Sequence, residues 1–317
     1  MRKHLVYKLV LFVIPISMVF IVGTYLYRYY LWEMPRLVLC DVGQGDAILL
    51  TKGHTQILID GGPDDAVLGC LEEHMPWFDR QLEVVVATHL DSDHIGGLPA
   101  VLERYQASTI LTSDQQKNTD QAEKLRNEFD SQVVKGAKIL IAQAGQSLEI
   151  GGLGRGMVLW PPAENGQISP LLPQDSETSL SAVEVSEKTI KEESNAGSIV
   201  LLIEINHTNI LLMGDADESV ELALRDRGVL KPIDVIKVGH HGSKSSSTPA
   251  FLALLHPEVA LLGVGAGNRY GHPDPEVLSH LVEQGIHTWR TDLHGSVELT
   301  FHDTNFQVRP RRRDQDG

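Results

Sequence analysis

Cysteine is nearly absent from this 317-residue chain, with only Cys40 and Cys70 present. That excludes a disulfide scaffold and a Cys-rich zinc site, so any metal must be held by nitrogen and oxygen. The two thiols either pair or serve as small buried hydrophobes. Basic charge is also scarce: 27 Lys and Arg stand against 42 Asp and Glu, for a formal charge of −15. A general binder of phosphate backbones needs clustered cations, so that class is disfavoured. Internal repeats are missing, and so is any clean domain break after residue 36. What remains is ordinary globular usage, 42% apolar and 22% charged, which is neither collagen-like nor wholly disordered. The length allows about two domains at roughly 150 residues each, although one α/β domain often exceeds that.

There is one long apolar run. Leu9–Leu26 carries no charge over eighteen residues, and Tyr27, Arg28, Tyr29, Tyr30 and Trp32 follow it. Its length fits a membrane-spanning helix, and the aromatic residues suit the lipid–water interface. A cleaved signal peptide is the rival, but the apolar core is long and no small-x-small cleavage site follows. Residues 1–32 are thus expected to be a single N-terminal anchor. The small excess of Arg2, Lys3 and Lys8 over Arg28 and Arg36 favours an inside amino terminus and an extracytoplasmic domain.

From Arg36 the pattern alternates between strands and helices. Short β runs are expected at Leu37–Cys40, Ala47–Thr51, Gln56–Asp60, Val84–Thr88, Ile110–Thr112 and Lys138–Ala142, then at Met157–Trp160, Ser198–Ile205, Asn209–Met213, Val235–Val238, Val259–Gly263 and Val297–Phe301. Helical spacing marks Leu98–Tyr105, Gln121–Phe129, Ser219–Arg227, Pro249–Leu255 and Pro275–Gln284. One α/β domain is expected over 36–303. A polar insertion at 161–195 offers little core, and a basic tail at 304–317 reads as disordered.

The strongest chemical signal is Thr88–Leu98, THLDSDHIGGL, where four potential ligands occupy six residues just past a buried strand. His89, Asp91, Asp93 and His94 offer the imidazole and carboxylate donors that divalent cations take. A bland polar loop with Asp93 as helix cap explains this density poorly. Asp215 in LLMGDADES is weak alone, since Asp at a strand-to-helix turn is commonly a cap. His240 and His241 share a glycine turn, where packing seldom needs two histidines. His272, in NRYGHPDP, reads alone as a turn residue. Each cluster nevertheless ends a strand, where open α/β sheets place their sites.

These residues, in this order, resemble the metallo-β-lactamase superfamily, and within it the ComEC-like competence domains. The family's HxHxDH loop reads HLDSDH here. DVGQGD (Asp41–Asp46), ILIDGG (Ile57–Gly62), NAGS (Asn195–Ser198), GDAD (Gly214–Asp217), HHGS (His240–Ser243), YGHP (Tyr270–Pro273) and TDLHG (Thr291–Gly295) follow the ComEC-like pattern from Leu37 to Phe301. The resemblance implies an αββα sandwich behind the anchor, carrying one or two divalent ions, Zn²⁺ or Mn²⁺. It makes His89, Asp91, Asp93 and His94 ligands and Asp215 a bridging carboxylate. One histidine of the HHGS turn would complete a site and the other would meet a substrate phosphate; His240 is placed with the ligands and His241 with catalytic Asp93 and Asp46, although the choice between the pair stays open. Asp60 would brace the metal loop, and Asn195, Ser243 and His272 would lie near the substrate. Two departures stand out: Asp91 replaces the second loop histidine, and His207 is the sole histidine between His94 and His240. One metal position is therefore richer in oxygen, which shifts preference from Zn²⁺ toward Mn²⁺ or Mg²⁺.

The implied activity is metal-dependent phosphodiester hydrolysis, with single-stranded DNA as substrate and a separate channel protein as partner. Lys237, Lys244 and Arg269 are candidate phosphate contacts. The alternatives are an esterase of the phosphocholine-esterase kind and a non-catalytic subunit of an uptake assembly.

Overall fold

The computed structural model describes residues 32–162 and 195–311, together with 14, 16–20 and 22–24. The expected anchor falls largely outside the described residues, as does the insertion from 163 to 194. Among the described residues, no helix is long and apolar enough to cross a membrane.

Period-two alternation builds the scaffold. In β1 (Arg36–Leu39) and β4 (Gln81–Ala87), Leu37, Leu39, Val84 and Val86 face one apolar cluster, while Val38, Val85 and Ala87 face another. Both faces are buried, so strands must be covered on two sides. An eight-stranded sheet runs β15-β14-β1-β2-β3-β4-β5-β6, and a seven-stranded sheet runs β13-β12-β11-β10-β9-β8-β7. The first adds β2 (Ile48–Lys52), β3 (Thr55–Ile59), β5 (Gln106–Thr112), β6 (Lys138–Ile141), β14 (Ser296–Phe301) and β15 (Phe306–Arg311). The second contains β7 (Ser147–Glu149), β8 (Arg155–Trp160), β9 (Val200–Ile205), β10 (Thr208–Leu212), β11 (Val235–Lys237), β12 (Val259–Leu262) and β13 (His287–Arg290).

The central cluster joins the inner faces of both sheets, with Leu50, Ile57 and Leu111 meeting Leu201, Ile210 and Leu261. Helices α1 (Ala66–His74), α2 (Ser92–Ile95), α3 (Leu98–Arg104) and α4 (Asp120–Val134) cover the first sheet through Leu71, Ile95, Val101 and Leu125. Helices α5 (Glu218–Asp226), α6 (Pro249–Leu255) and α7 (Pro275–Glu283) cover the second through Val220, Leu252 and Leu281. A one-turn α8 (Thr291–His294) links β13 to β14. The architecture is therefore an αββα sandwich.

Several elements differ from expectation. Helix α1 goes unannounced because Gly69, a poor helix former, stands in its middle on the exposed face and Asp65 makes no side-chain cap. Part of the tail expected to be disordered is a strand: β15 pairs with β14 from Phe306 to Arg311, and Phe306 and Val308 pack onto the central cluster. Cys40 and Cys70 are disulfide-bonded, tying the end of β1 to α1.

Strands β3 to β6 are parallel, as are β10 to β13. The loops that follow β3, β4, β10 and β11 carry Asp60, His89–His94, Asp215 and His240–His241. All the motifs therefore share one edge of the sandwich.

Candidate metal centre

Four buried residues, three from loops and His94 from the short helix α2, converge there. One ligand-type atom from each of Asp46, His94, Asp215 and His241 lies within 4.8 Å of every other. His94 Nε2 is 3.2 Å from His241 Nε2 and 3.1 Å from Asp215 Oδ1, while His241 Nε2 is 3.5 Å from that same oxygen. Two imidazole nitrogens on one tetrahedral ion at about 2.0–2.1 Å would stand about 3.3 Å apart, close to the observed spacing. Asp215 Oδ1 and Asp46 Oδ1 have no hydrogen-bond partner although both are buried, and neither does His89 Nε2. Native interiors rarely leave polar atoms orphaned, so this group of atoms fits a cation.

Charge gives the same answer. Burial alone would make the His94 imidazolium less stable, but Asp215 and Asp60 override it and hold the pKa well above its usual value. His241 is likewise depressed by burial and then raised by Asp215 and Asp46, to about 9. Asp215 and Asp46 stay ionised against the cost of burial, Asp215 through His94 and His241, Asp46 through Lys237 and His241. Protons on two histidines offset charge that a divalent ion would offset instead.

A surrounding layer sets these side chains. Asp60 Oδ2 accepts from His94 Nδ1 at 2.7 Å, which turns Nε2 toward the centre. Asp60 is itself held by the Thr88 amide at 2.8 Å and the Thr88 hydroxyl at 2.7 Å. Asp46 Oδ2 pairs with Lys237 Nζ at 2.5 Å, and Asp46 Oδ1 lies 3.4 Å from His241 Nδ1. A Cβ at Gly263 would run into the Asp46 carboxylate, so glycine is what permits this approach. Ser198 Oγ accepts from the Asp215 amide at 3.0 Å.

The other expected residues lie outward. His89, buried, sits 3.7 Å from Asp215 Oδ2 and 4.0 Å from Asp91 Oδ2; burial and His94 lower its pKa, so it is neutral and available as a donor. Asp91 is half-buried and paired with Lys117 at 2.7 Å. Asp93 Oδ2 stands 3.4 Å from His241 Nε2. Burial would raise the Asp93 pKa, but His241 and His94 keep it below the usual value.

Of the adjacent histidines, His241 rather than His240 joins the buried group. Positive φ at both, 46° and 54°, sends the side chains in different directions. His240 is half-exposed, 3.9 Å from Asp215 Oδ2 and hydrogen-bonded to Asn195 at 3.1 Å. Its ring is 5.6 Å from that of His272. Ser243 lies off the cluster, its hydroxyl 3.2 Å from that of Ser245.

Lys237 corrects an expectation. It is no solvated phosphate contact but fully buried beneath Asp46. Lys244 pairs with Glu276 at the surface, and Arg269 lies over Tyr270. Thr88, Lys117 and Ser198 were not singled out from sequence; Ser198 closes the NAGS segment, and that was the signal available for it.

The metallo-beta-lactamase superfamily pattern matches residues 40–265. The chain belongs to that family, whose members are generally metal-dependent hydrolases, and its buried donor set implies a divalent metal. Among curated relatives, ComE operon protein 3 of Bacillus subtilis is 27% identical over 82% of this chain and 32% of its own length. Recombination protein 2 of Haemophilus influenzae is 26% identical over 89% of this chain and 30% of its own. Competence protein ComA of Neisseria gonorrhoeae is 27% identical over 82% of this chain. The chain thus spans about a third of the length of these competence-type relatives. Among solved structures, a CmlA beta-hydroxylase covers 84% of this chain and 54% of its own at a TM-score of 0.51 and 12% identity, a likeness of fold alone.

Proposed function

We propose that the chain is a membrane-anchored, metal-dependent phosphodiesterase acting on single-stranded DNA in partnership with a separate channel protein. The observation that carries the hydrolase reading is the convergence of orphaned, buried Asp46 and Asp215 oxygens on His94 and His241. The names of the relatives, a recombination protein and a competence protein, support nucleic acid as the substrate class. The Cys40–Cys70 disulfide supports an extracytoplasmic domain, since disulfides persist in oxidising compartments. Leu9–Leu26 supplies the proposed anchor.

His94, His241, Asp215 and Asp46 would hold one ion. His89 and Asp91 would offer a second, oxygen-rich position that suits Mn²⁺ as well as Zn²⁺. The chemistry such an ion supplies is Lewis acidity, which acidifies water and offsets charge on phosphate oxygens. The protein does the rest. Asp60 fixes the His94 ring, and Lys237 keeps Asp46 ionised and turned toward His241. Asp93 Oδ2, ionised and half-exposed, takes the proton of the attacking water. His240 and His272 face the mouth, where their ring N–H groups donate to phosphate oxygens.

The test is direct. The full chain, purified in detergent and loaded with Mn²⁺ or Zn²⁺, is assayed on single-stranded DNA, bis-p-nitrophenyl phosphate and p-nitrophenyl phosphorylcholine, with an Asp93→Ala, His94→Ala control. Cleavage of DNA that disappears in the control is expected. Turnover of the choline ester alone moves the chain to the esterases, and bound metal without turnover of any substrate makes it non-catalytic.

A further inference from the structure

The end of the sandwich opposite the metal centre carries apolar groups that the proposed chemistry does not use. Because β3 to β6 are parallel, the loops entering them lie at the far end from Asp60 and His89. His54 precedes β3, Trp77 and Phe78 precede β4, Tyr105 precedes β5, and Val133 and Val134 precede β6. Trp77 is 84% exposed, Phe78 57% and Val134 89%, where folded surfaces seldom leave such side chains grouped at one end.

Ring and backbone contacts knit this end together. The Gly53 amide donates to the Trp32 carbonyl at 3.0 Å, and the Trp32 ring meets that of His54 edge-on at 4.5 Å. His54 lies 6.1 Å from Phe78, which packs edge-on against Trp77 at 5.6 Å. The Gln106 amide then donates to the Arg80 carbonyl, and the Gln106 side chain to the Lys135 carbonyl. Two nearby charges are engaged: Asp79 pairs with His54, and Arg80 lies over Tyr105.

Trp32 identifies the occupant. It belongs to this cluster, and the uncharged run Leu9–Leu26 ends six residues before it, with Tyr27, Tyr29 and Tyr30 between. We infer that Trp32, Trp77 and Phe78 form an aromatic platform that seats the domain in the headgroup layer of the bilayer, with the metal centre facing away from the membrane. The inference rests on the anchor reading. Trp suits this layer because its ring is apolar but carries a polar N–H, and Phe can bury its apolar ring at the boundary between headgroups and acyl chains. Seven-residue β4 spans roughly 20 Å, so the platform also sets the distance of the site from the lipid.

The experiment uses the full chain reconstituted into phosphatidylcholine vesicles containing lipids brominated near the headgroup end of the acyl chain. Tryptophan quenching is compared among wild type, Trp77→Phe and Trp289→Phe, the last replacing a ring at the metal-site end of β13. The expected result is quenching that falls clearly in Trp77→Phe and is not reduced in Trp289→Phe. Failure of the chain to float with vesicles after alkaline washing would overturn the anchor and the platform together. Flotation with Trp77→Phe quenched as strongly as wild type would overturn the platform and leave the anchor standing. Cross-linking of two copies through Trp77, lost in Trp77→Ser and insensitive to lipid, would assign this face to a second copy and likewise overturn it.

Discussion

The inner and outer halves of the metal centre are built on opposite principles. Inside, Asp46, Asp60, His94, Asp215, Lys237 and His241 are all buried, and carboxylates and cations alternate so that each charge has a neighbour of opposite sign. Outside, Asp91, Asp93, His240 and His272 are half-buried and are held by residues near the surface, such as Lys117 and Asn195. Buried charge is costly unless paired, so the inner half tolerates few changes. Water can replace a lost partner in the outer half, leaving it free to diverge with substrate.

The sharpest way to break this contrast is to remove an inner donor. His94→Ala should strip the metal and lower turnover by more than about 100-fold, beyond the upper end for losing a ligand's supporting partner. Metal content by emission spectroscopy, beside activity, checks it. Lys237→Met should come next. It leaves the Asp46 carboxylate buried with only His241 beside it, a loss expected to cost about 3–5 kcal/mol in urea unfolding. Asp46→Asn together with Lys237→Met should recover much of that loss, which no simple packing defect would do. Asp60→Asn, which keeps the shape and weakens the hold on His94 Nδ1, should reduce metal affinity by about 10- to 100-fold while the fold persists.

Most of the sandwich was legible from sequence because its strands alternate between two buried faces. The site loops were legible because ligand-type residues recur at strand ends. Besides helix α1, three things were not. His240 and His241 are neighbours, and only the positive-φ turn decides which ring points inward. Lys237 lies in an apolar strand, but its partner Asp46 is distant in sequence, so local pattern gave a solvated lysine. The arginines of β15 suggested a loose tail, while the signal that mattered was the spacing of Phe306 and Val308.

A milder probe is pH. In the metal-free protein the pKa values of His94 and His241 are both raised, His241 to about 9, so His241 carries a proton at pH 7.5. Binding a cation requires neutral rings and must therefore release protons, and apparent affinity should rise with pH up to about 9. Titration calorimetry in buffers of different ionisation heat would show this; identical heats would mean the inner half carries no displaceable protons. The sign for stability is the reverse. The raised His241 stabilises the metal-free fold fully below the unfolded value of about 6.5, and that contribution is lost as pH climbs through about 9.

The smallest effect should come from the outer half. Lys117 pairs with Asp91 where solvent reaches both, so Lys117→Ala should change stability by less than about 1 kcal/mol. It also frees Asp91 Oδ1, 2.7 Å from the lysine, to turn toward His89. If the outer half tunes rather than holds, the first metal should bind as in wild type while the affinity for a second ion changes, and competition between Mn²⁺ and Zn²⁺ would read that change. A loss of stability comparable to that of Lys237→Met would instead make Lys117–Asp91 part of the structural core and remove the distinction between the two halves.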